Sequence, residues 1–225
     1  MNQTPSHDLF NDSIFNLLEE IHPKIVVEVG CMRGHLAQAY LKTDPGCVWH
    51  GIDIDEANIA HAKDICTHAH LANIEKMTDL ELTHFNDADT WIFGDVLEHL
   101  YNPWKLLEKI KSNATRHTNV IACIPNSQHW SFQARVNSGM MQYDDDGFFD
   151  RTHIRFFSRI TIAEMFVKAG FTIEKMFARY IFFKGAEIFI PHIRAMAQAN
   201  GLDPEQAESD ALAFQYVIQA KVSPG

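Results

Sequence analysis

Residues Ile25–Ala37 read IVVEVGCMRGHLA. An apolar run rich in β-branched residues closes on Gly30, and Gly34 opens a helical stretch that the spacing predicts to run to Leu41. This is the pattern of a strand buried on both faces, a glycine turn and a helix. In a doubly wound sheet such a turn lies beyond the carboxyl end of the first strand, where a ligand approaches the backbone.

The rest of the chain repeats the rhythm. Upstream, DLFNDSIFNLLEEI places apolar residues at helical spacing. Downstream, CVWHGIDI, HAHLAN, DTWIFGDV and TNVIACIP are strand-like runs. Amphipathic stretches separate them, such as NPWKLLEKIKS, where Leu106, Leu107 and Ile110 share one face. Alternating strands and helices predict an α/β, doubly wound, mostly parallel sheet. After Pro125 the sequence turns polar and aromatic together, with Gly139 and Gly147 as breakers, and reads as an insertion or lid over about 126–158 beside the site. A helix follows near Ile160–Ala169. FTIEKMFARY and ALAFQYVIQAKV are expected to close the sheet as an antiparallel C-terminal pair, with a helical excursion over about 184–210 between them.

A length of 225 residues suits one domain with an ample core. Nineteen Lys and Arg stand against 29 Asp and Glu, a formal net charge of -10, so the field of the whole protein repels phosphate backbones and anionic membranes. No nucleic-acid partner is expected. Cys31, Cys47, Cys66 and Cys123 form no CxxC pair and sit in or beside apolar stretches, which fits buried free thiols in a reducing cytoplasm. The N-terminal MNQTPSHDLF has neither a basic start nor an apolar core, and no window approaches the roughly 18 apolar residues of a membrane span. The expectation is a soluble protein without membrane insertion.

The turn itself narrows the ligand. Met32 stands where a G-x-G-x-x-G fingerprint has its second glycine, and a side chain there crowds a pyrophosphate laid against the backbone. No G-K-[ST] follows to grip phosphates and magnesium. A nicotinamide-dependent oxidoreductase is the rival enzyme class, since Asp53 also suits an adenine ribose, but neither the fingerprint nor a catalytic Tyr-Lys pair is visible.

Four successive strand ends together resemble the class I S-adenosylmethionine-dependent methyltransferases. VVEVGCMRG is similar to the family's acid-x-Gly-x-x-x-Gly turn, with Glu28, Gly30, Cys31 and Gly34 at the methionine end of the cofactor. GIDID places Asp53 on the ribose hydroxyls, with Ile54 beside it; HLANIE places Asn73 and Ile74 at the adenine. DTWIFGDVLEHLYNP places Gly94 and Asp95 near the methyl group. The resemblance implies one methyltransferase domain over 1–225 with a seven-stranded Rossmann-like sheet. It also implies S-adenosylmethionine as cofactor and S-adenosylhomocysteine as its product. CIPNSQHW and DDDGFFDRTHIRFFSR resemble a bacterial subset associated with glycan and secondary-metabolite synthesis. The expected acceptor is therefore a small-molecule or glycan-precursor hydroxyl, in polysaccharide biosynthesis. A small-molecule amine or a non-catalytic, cofactor-binding partner subunit is the alternative, and a homodimer is carried as an expectation.

A hydroxyl acceptor needs a base, and His99, His129, Glu98 and Asp95 are the candidates, because each follows a strand that ends at the cleft. Asp95, Glu98 and His99 fall within one helical turn and serve equally well as caps or ion pairs. Arg151, His153 and Arg155 alternate, so on an extended segment they share a face and, with Tyr143, form the candidate substrate grip; pairing with Asp144, Asp145, Asp146 and Asp150 is the competing reading. The acidic run reads as a solvated loop, His68 and His70 as ordinary strand histidines, and no metal ligand is assigned. The pairs Phe148-Phe149, Phe156-Phe157 and Phe182-Phe183 read as anchors of the insertion.

Overall fold

A computed structural model describes residues 10–223; the reading of the first nine residues lies outside them. In chain order the elements are α1 (Asp12–Ile21), β1 (Ile25–Val29), α2 (His35–Thr43), β2 (Val48–Asp53), α3 (Glu56–Ala62), β3 (His68–Leu71), α4 (Asp79–Leu82) and β4 (Thr90–Gly94). They continue with α5 (Pro103–Asn113), β5 (Asn119–Pro125), α6 (Trp130–Asn137), α7 (Arg159–Lys168), β6 (Phe171–Arg179), α8 (Ala186–Ala199), α9 (Pro204–Leu212) and β7 (Gln215–Val222). The strands form one seven-stranded sheet in the order β3-β2-β1-β4-β5-β7-β6. β1 to β5 are parallel, and β7 runs antiparallel to both β5 and β6.

The apolar run of β1 is continuous because both faces are covered. Val27 and Val29 join Leu106, Ile110, Ile162 and Phe166 in the core under α5 and α7. Val26 joins Ile14, Leu18, Ala37 and Trp49 in the core under α1 and α2. Successive side chains of a strand point to opposite faces, so a strand at the centre of a two-sided sheet has no polar face to display. All four cysteines are buried and free, as their apolar surroundings predict.

α1 starts where the Asn11 side chain accepts the N–H groups of Ser13 and Ile14, and it ends at His22, whose φ of 51° lies in the left-handed region. The predicted insertion carries a helix of its own, α6, which the mixed polar and aromatic pattern hid. Of its phenylalanine pairs, Phe148 and Phe149 are buried against Phe214, and Phe157 packs into the main core, while Phe156, Phe182 and Phe183 keep exposed faces.

The carboxyl end of β5 is tied to the C-terminal half by Asn126. Its Nδ2 donates to the carbonyls of Asp210 at 2.7 Å and Ala213 at 2.8 Å, and its Oδ1 accepts Gln128 N–H at 3.0 Å. Asn126 is wholly buried, so truncation strands two carbonyls and an amide away from water. Asn126→Ala is expected to lower unfolding stability by about 2 kcal/mol in a urea titration.

Candidate functional site

A cleft of about 770 Å³ opens beyond the carboxyl ends of β1, β2 and β4. This is the switch point of the sheet, where β1 feeds β2 on one side and β4 pairs on the other. Gly30, Asp53, Ile54, Asn73, Ile74, Gly94, Asp95 and His99 all lie on its wall, together with Met32, Asp55, Glu75, Lys76 and Tyr101. Four carboxylates against one lysine make the wall acidic.

The turn after β1 is built from left-handed residues: Gly30 at φ 71°, Met32 at φ 48° and Gly34 at φ 79°. Met32 adopts a conformation that glycine takes freely and L side chains resist by roughly 1–2 kcal/mol. Its N–H is held at 2.8 Å by Asp53 Oδ2, while Asp53 Oδ1 accepts Asp55 N–H at 2.9 Å. One carboxylate thus braces two loops, and each oxygen retains a further lone pair for a ligand. Ile54, next to it, is 74% exposed at the mouth of the cleft. Asn73 Oδ1 caps the short 3₁₀ turn that follows by accepting Glu75 N–H at 3.0 Å.

Asp95, like His22 and Met32, is a non-glycine residue in the left-handed region, at φ 55°. Its carboxylate accepts from Gln215 Nε2, and Gln215 Oε1 in turn accepts from Arg179 at 2.6 Å. Burial pushes Asp95 up to about 7, against the pull of the Arg179 guanidinium. Gln215 and Arg179 face each other across β7 and β6, so the strand pair that closes the sheet also sets this carboxylate. Nothing local in the sequence points to them.

Glu98 and His153, both buried, meet His99 behind the part of the cleft wall that His99 lines. The segment after Asp150 docks through Ile154 and Arg155 N–H on the Glu98 carbonyl, at 3.1 and 3.0 Å. His99 Nδ1 lies 3.1 Å from the Thr152 carbonyl, 53 residues away in the chain, and the two imidazoles pack edge to face. Glu98 is 1% exposed, and burial holds its carboxyl well above the usual range. Burial also lowers His99 and His153.

Several expected residues stand elsewhere. Glu28 is buried behind the turn and accepts Trp49 Nε1–H at 3.0 Å. Cys31 points into the core beside Cys66 and Gly51, away from the cleft. Gly34 starts α2 and faces Ile65 and Cys66. His129 does not reach the cleft. Its Nδ1 caps α6 by accepting Ser131 N–H, and its ring is enclosed by Phe148, Phe183 and Phe214. Tyr143 is exposed and off the cleft wall.

Nor do Arg151, His153 and Arg155 share a face, because the Asp150 side chain accepts Thr152 N–H and turns the chain where an extended strand was expected. Arg151 is exposed and pairs with Asp145 at 3.4 Å, His153 is buried, and Arg155 donates to the Tyr101 carbonyl and lies over the Trp104 ring. His68 and His70 stack on His50, whose Nδ1 is 3.2 Å from His70 Nε2.

Glu28 gives a prediction of its own. Burial raises its carboxyl from 4.5 to about 8, partly offset by the Trp49 hydrogen bond. The folded state therefore keeps a proton that the unfolded chain has released, so this residue's contribution to stability is full below pH 4.5 and is lost as pH rises through about 8. Glu28→Gln mimics the protonated acid. Its melting temperature should match the parent near pH 4.5 and exceed it progressively toward pH 9; parallel profiles would show that Glu28 does not titrate on unfolding.

A family model described as a methyltransferase domain matches residues 7–176. No curated protein matches the sequence. Among solved structures, the plantazolicin methyltransferase BpumL in complex with SAH aligns with a TM-score of 0.60 at 15% identity, over 94% of this chain and 80% of that one. A SAM-dependent methyltransferase from Archaeoglobus fulgidus gives 0.60 at 16% identity, over 93% of each chain. The methyltransferase domain of bacterial CtHen1-C gives 0.59 at 16%, over 95% of this chain and 96% of that one. At such identities the likeness is one of fold.

Proposed function

The chain belongs to the methyltransferase-domain family, and from that premise we propose that its cleft holds S-adenosylmethionine and serves methyl transfer to a hydroxyl of a small molecule or glycan precursor. The observation that carries this reading is the chemistry of the wall: Asp53, Asp55, Glu75 and Asp95 against Lys76 alone. Such a wall attracts an ammonium and a sulfonium and repels a pyrophosphate. Asp53 has lone pairs for a ribose diol, and Ile54 and Ile74 offer apolar surface to a purine. The residues present therefore fit this cofactor better than a dinucleotide.

When bound, S-adenosylmethionine supplies a methyl group on a sulfonium that a nucleophile displaces in line. The chain's own work is positioning, which supplies most of the acceleration in such a step. A hydroxyl must also lose its proton as the bond forms. Asp95, with its carboxyl near neutrality and its orientation held by Gln215, and His99 are the two groups on the wall equipped to receive it. Glu98 lies behind that wall, and His129 is too far back to take part.

Calorimetric titration with S-adenosylhomocysteine beside NAD tests the cofactor without requiring the acceptor. Saturable binding of S-adenosylhomocysteine alone is expected; preference for NAD, or binding of neither, overturns the reading. Labelled methyl transfer to hydroxyl acceptors, with matched amines alongside, then tests the acceptor class.

A further inference from the structure

Glu98, His99 and His153 present a carboxylate oxygen and two imidazole nitrogens that all lie within 4.8 Å of one another. Neither Glu98 oxygen accepts a hydrogen bond among the described residues, although the side chain is almost wholly buried. A buried carboxylate left in that state is unfavourable and calls for a partner. The imidazoles are oriented to share one. His99 Nδ1 faces the Thr152 carbonyl and His153 Nδ1 faces the Phe148 carbonyl, each at 3.1 Å. A carbonyl only accepts, so each Nδ1 carries the proton and each Nε2 carries the lone pair. His153 Nε2 is 3.9 Å from Glu98 Oε1. An imidazole whose far nitrogen donates to a carbonyl is the usual posture of a metal ligand. The backing carbonyl is itself fixed, because Asp150 Oδ1 accepts both Thr152 N–H and Thr152 Oγ1–H at 2.7 Å.

We propose that Glu98, His99 and His153 bind one divalent first-row transition cation, whose remaining coordination positions open toward the cleft that His99 lines and take the acceptor's oxygen there. Two imidazoles with one carboxylate suit manganese, iron, cobalt or zinc, whereas magnesium and calcium prefer all-oxygen sets. Three protein ligands leave positions free, as catalytic sites do. A coordinated hydroxyl is more acidic. Its O–H bond breaks and the proton passes to Asp95; the oxygen's electron pair then forms the bond to the methyl carbon as the bond from that carbon to sulfur breaks. His99 in this arrangement holds the cation, and Asp95 alone receives the proton. The use of the open positions rests on the methyl-transfer reading; the cation site does not. It also joins Glu98 and His99, expected as bases, to His153, expected in the substrate grip, where the sequence had suggested no metal ligand.

EDTA-treated full-length protein titrated with Co²⁺ should develop visible d–d bands that saturate at one ion per chain. Glu98→Gln and His153→Gln should weaken that binding by at least about 100-fold, while Asp145→Asn retains it. Circular dichroism and S-adenosylhomocysteine calorimetry report whether the variants are folded. Should they not be, pulsed EPR of Mn²⁺ in the parent protein should show nitrogen couplings from two imidazoles, and water-proton relaxation should report open positions. No saturable Co²⁺ binding, binding indifferent to both folded variants, or Mn²⁺ without nitrogen couplings would overturn the site; nitrogen-coupled Mn²⁺ without exchanging water would overturn its open positions. S-adenosylhomocysteine binding without Co²⁺ binding removes only the cation. Co²⁺ binding without S-adenosylhomocysteine binding keeps the cation site and removes the methyl-transfer reading.

Discussion

Asp53→Ala is expected to weaken S-adenosylhomocysteine binding about 100-fold, read by calorimetry. The carboxylate sits at the end of β2, 8% exposed, with one oxygen on Met32 N–H and the other on Asp55 N–H. In the proposed reading its remaining lone pairs accept from the ribose hydroxyls of the cofactor. Hydrogen bonds to a charged acceptor contribute about 1.5 kcal/mol or more each, so losing two gives about 3 kcal/mol, the stated factor. Asp53→Asn keeps one acceptor and should fall between the two. Asp55→Ala separates the roles, since Asp55 caps α3 through Ala57 and Asn58 N–H; it should cost about 1 kcal/mol of stability and little affinity. Unchanged affinity in a folded Asp53→Ala protein would reduce Asp53 to a brace for the turn and end its assignment to the ribose.

Gly30→Ala should be the most damaging single methyl group added to the turn. At φ 71° an alanine is strained by about 1–2 kcal/mol. Its Cβ would also lie 2.6 Å from Val96 Cγ2, a contact that a stiff β-branched side chain cannot swing away from. Overpacking of this kind adds roughly 1–3 kcal/mol, so a stability loss of about 3 kcal/mol in urea is expected. Val96 lines the cleft, so the displacement should also weaken S-adenosylhomocysteine binding. The pair Gly30→Ala with Val96→Ala tests the cause: removing the clash should restore much of the affinity while the strain at residue 30 remains, a non-additive result of the kind that neighbouring sites give. Full additivity would place the damage in the backbone alone.

Much of this architecture is written locally. The run IVVEV, the glycine turn and the amphipathic helix after it are legible because burial on two faces imposes a continuous apolar pattern on a strand and burial on one face imposes a 3.6-residue period on a helix. The same logic identifies the later strands and, by their alternation with helices, the ends that converge on the cleft, including Asp53 and Asp95. The left-handed turn is legible only in part: Gly30 and Gly34 announce it, whereas Met32, at a glycine position of the related fingerprint, takes the left-handed conformation despite its side chain.

The sequence by itself therefore determined the doubly wound sheet, its antiparallel closing pair and the glycine-turned end at which a ligand approaches. Only the tertiary structure decided which side chains act together. The docking of residues 153–155 on Glu98 joins His153 to Glu98 and His99; the Asp150 turn sends Arg151 and Arg155 apart; Gln215 and Arg179 reach Asp95 from the last two strands; and α6 draws His129 into an aromatic core. The physical reason is range. Periodicity records whether each residue is buried, a property of its own neighbourhood along the chain, whereas a contact between residues dozens of positions apart depends on how a polar, aperiodic loop packs, and such a loop carries no repeating signal of where it lands.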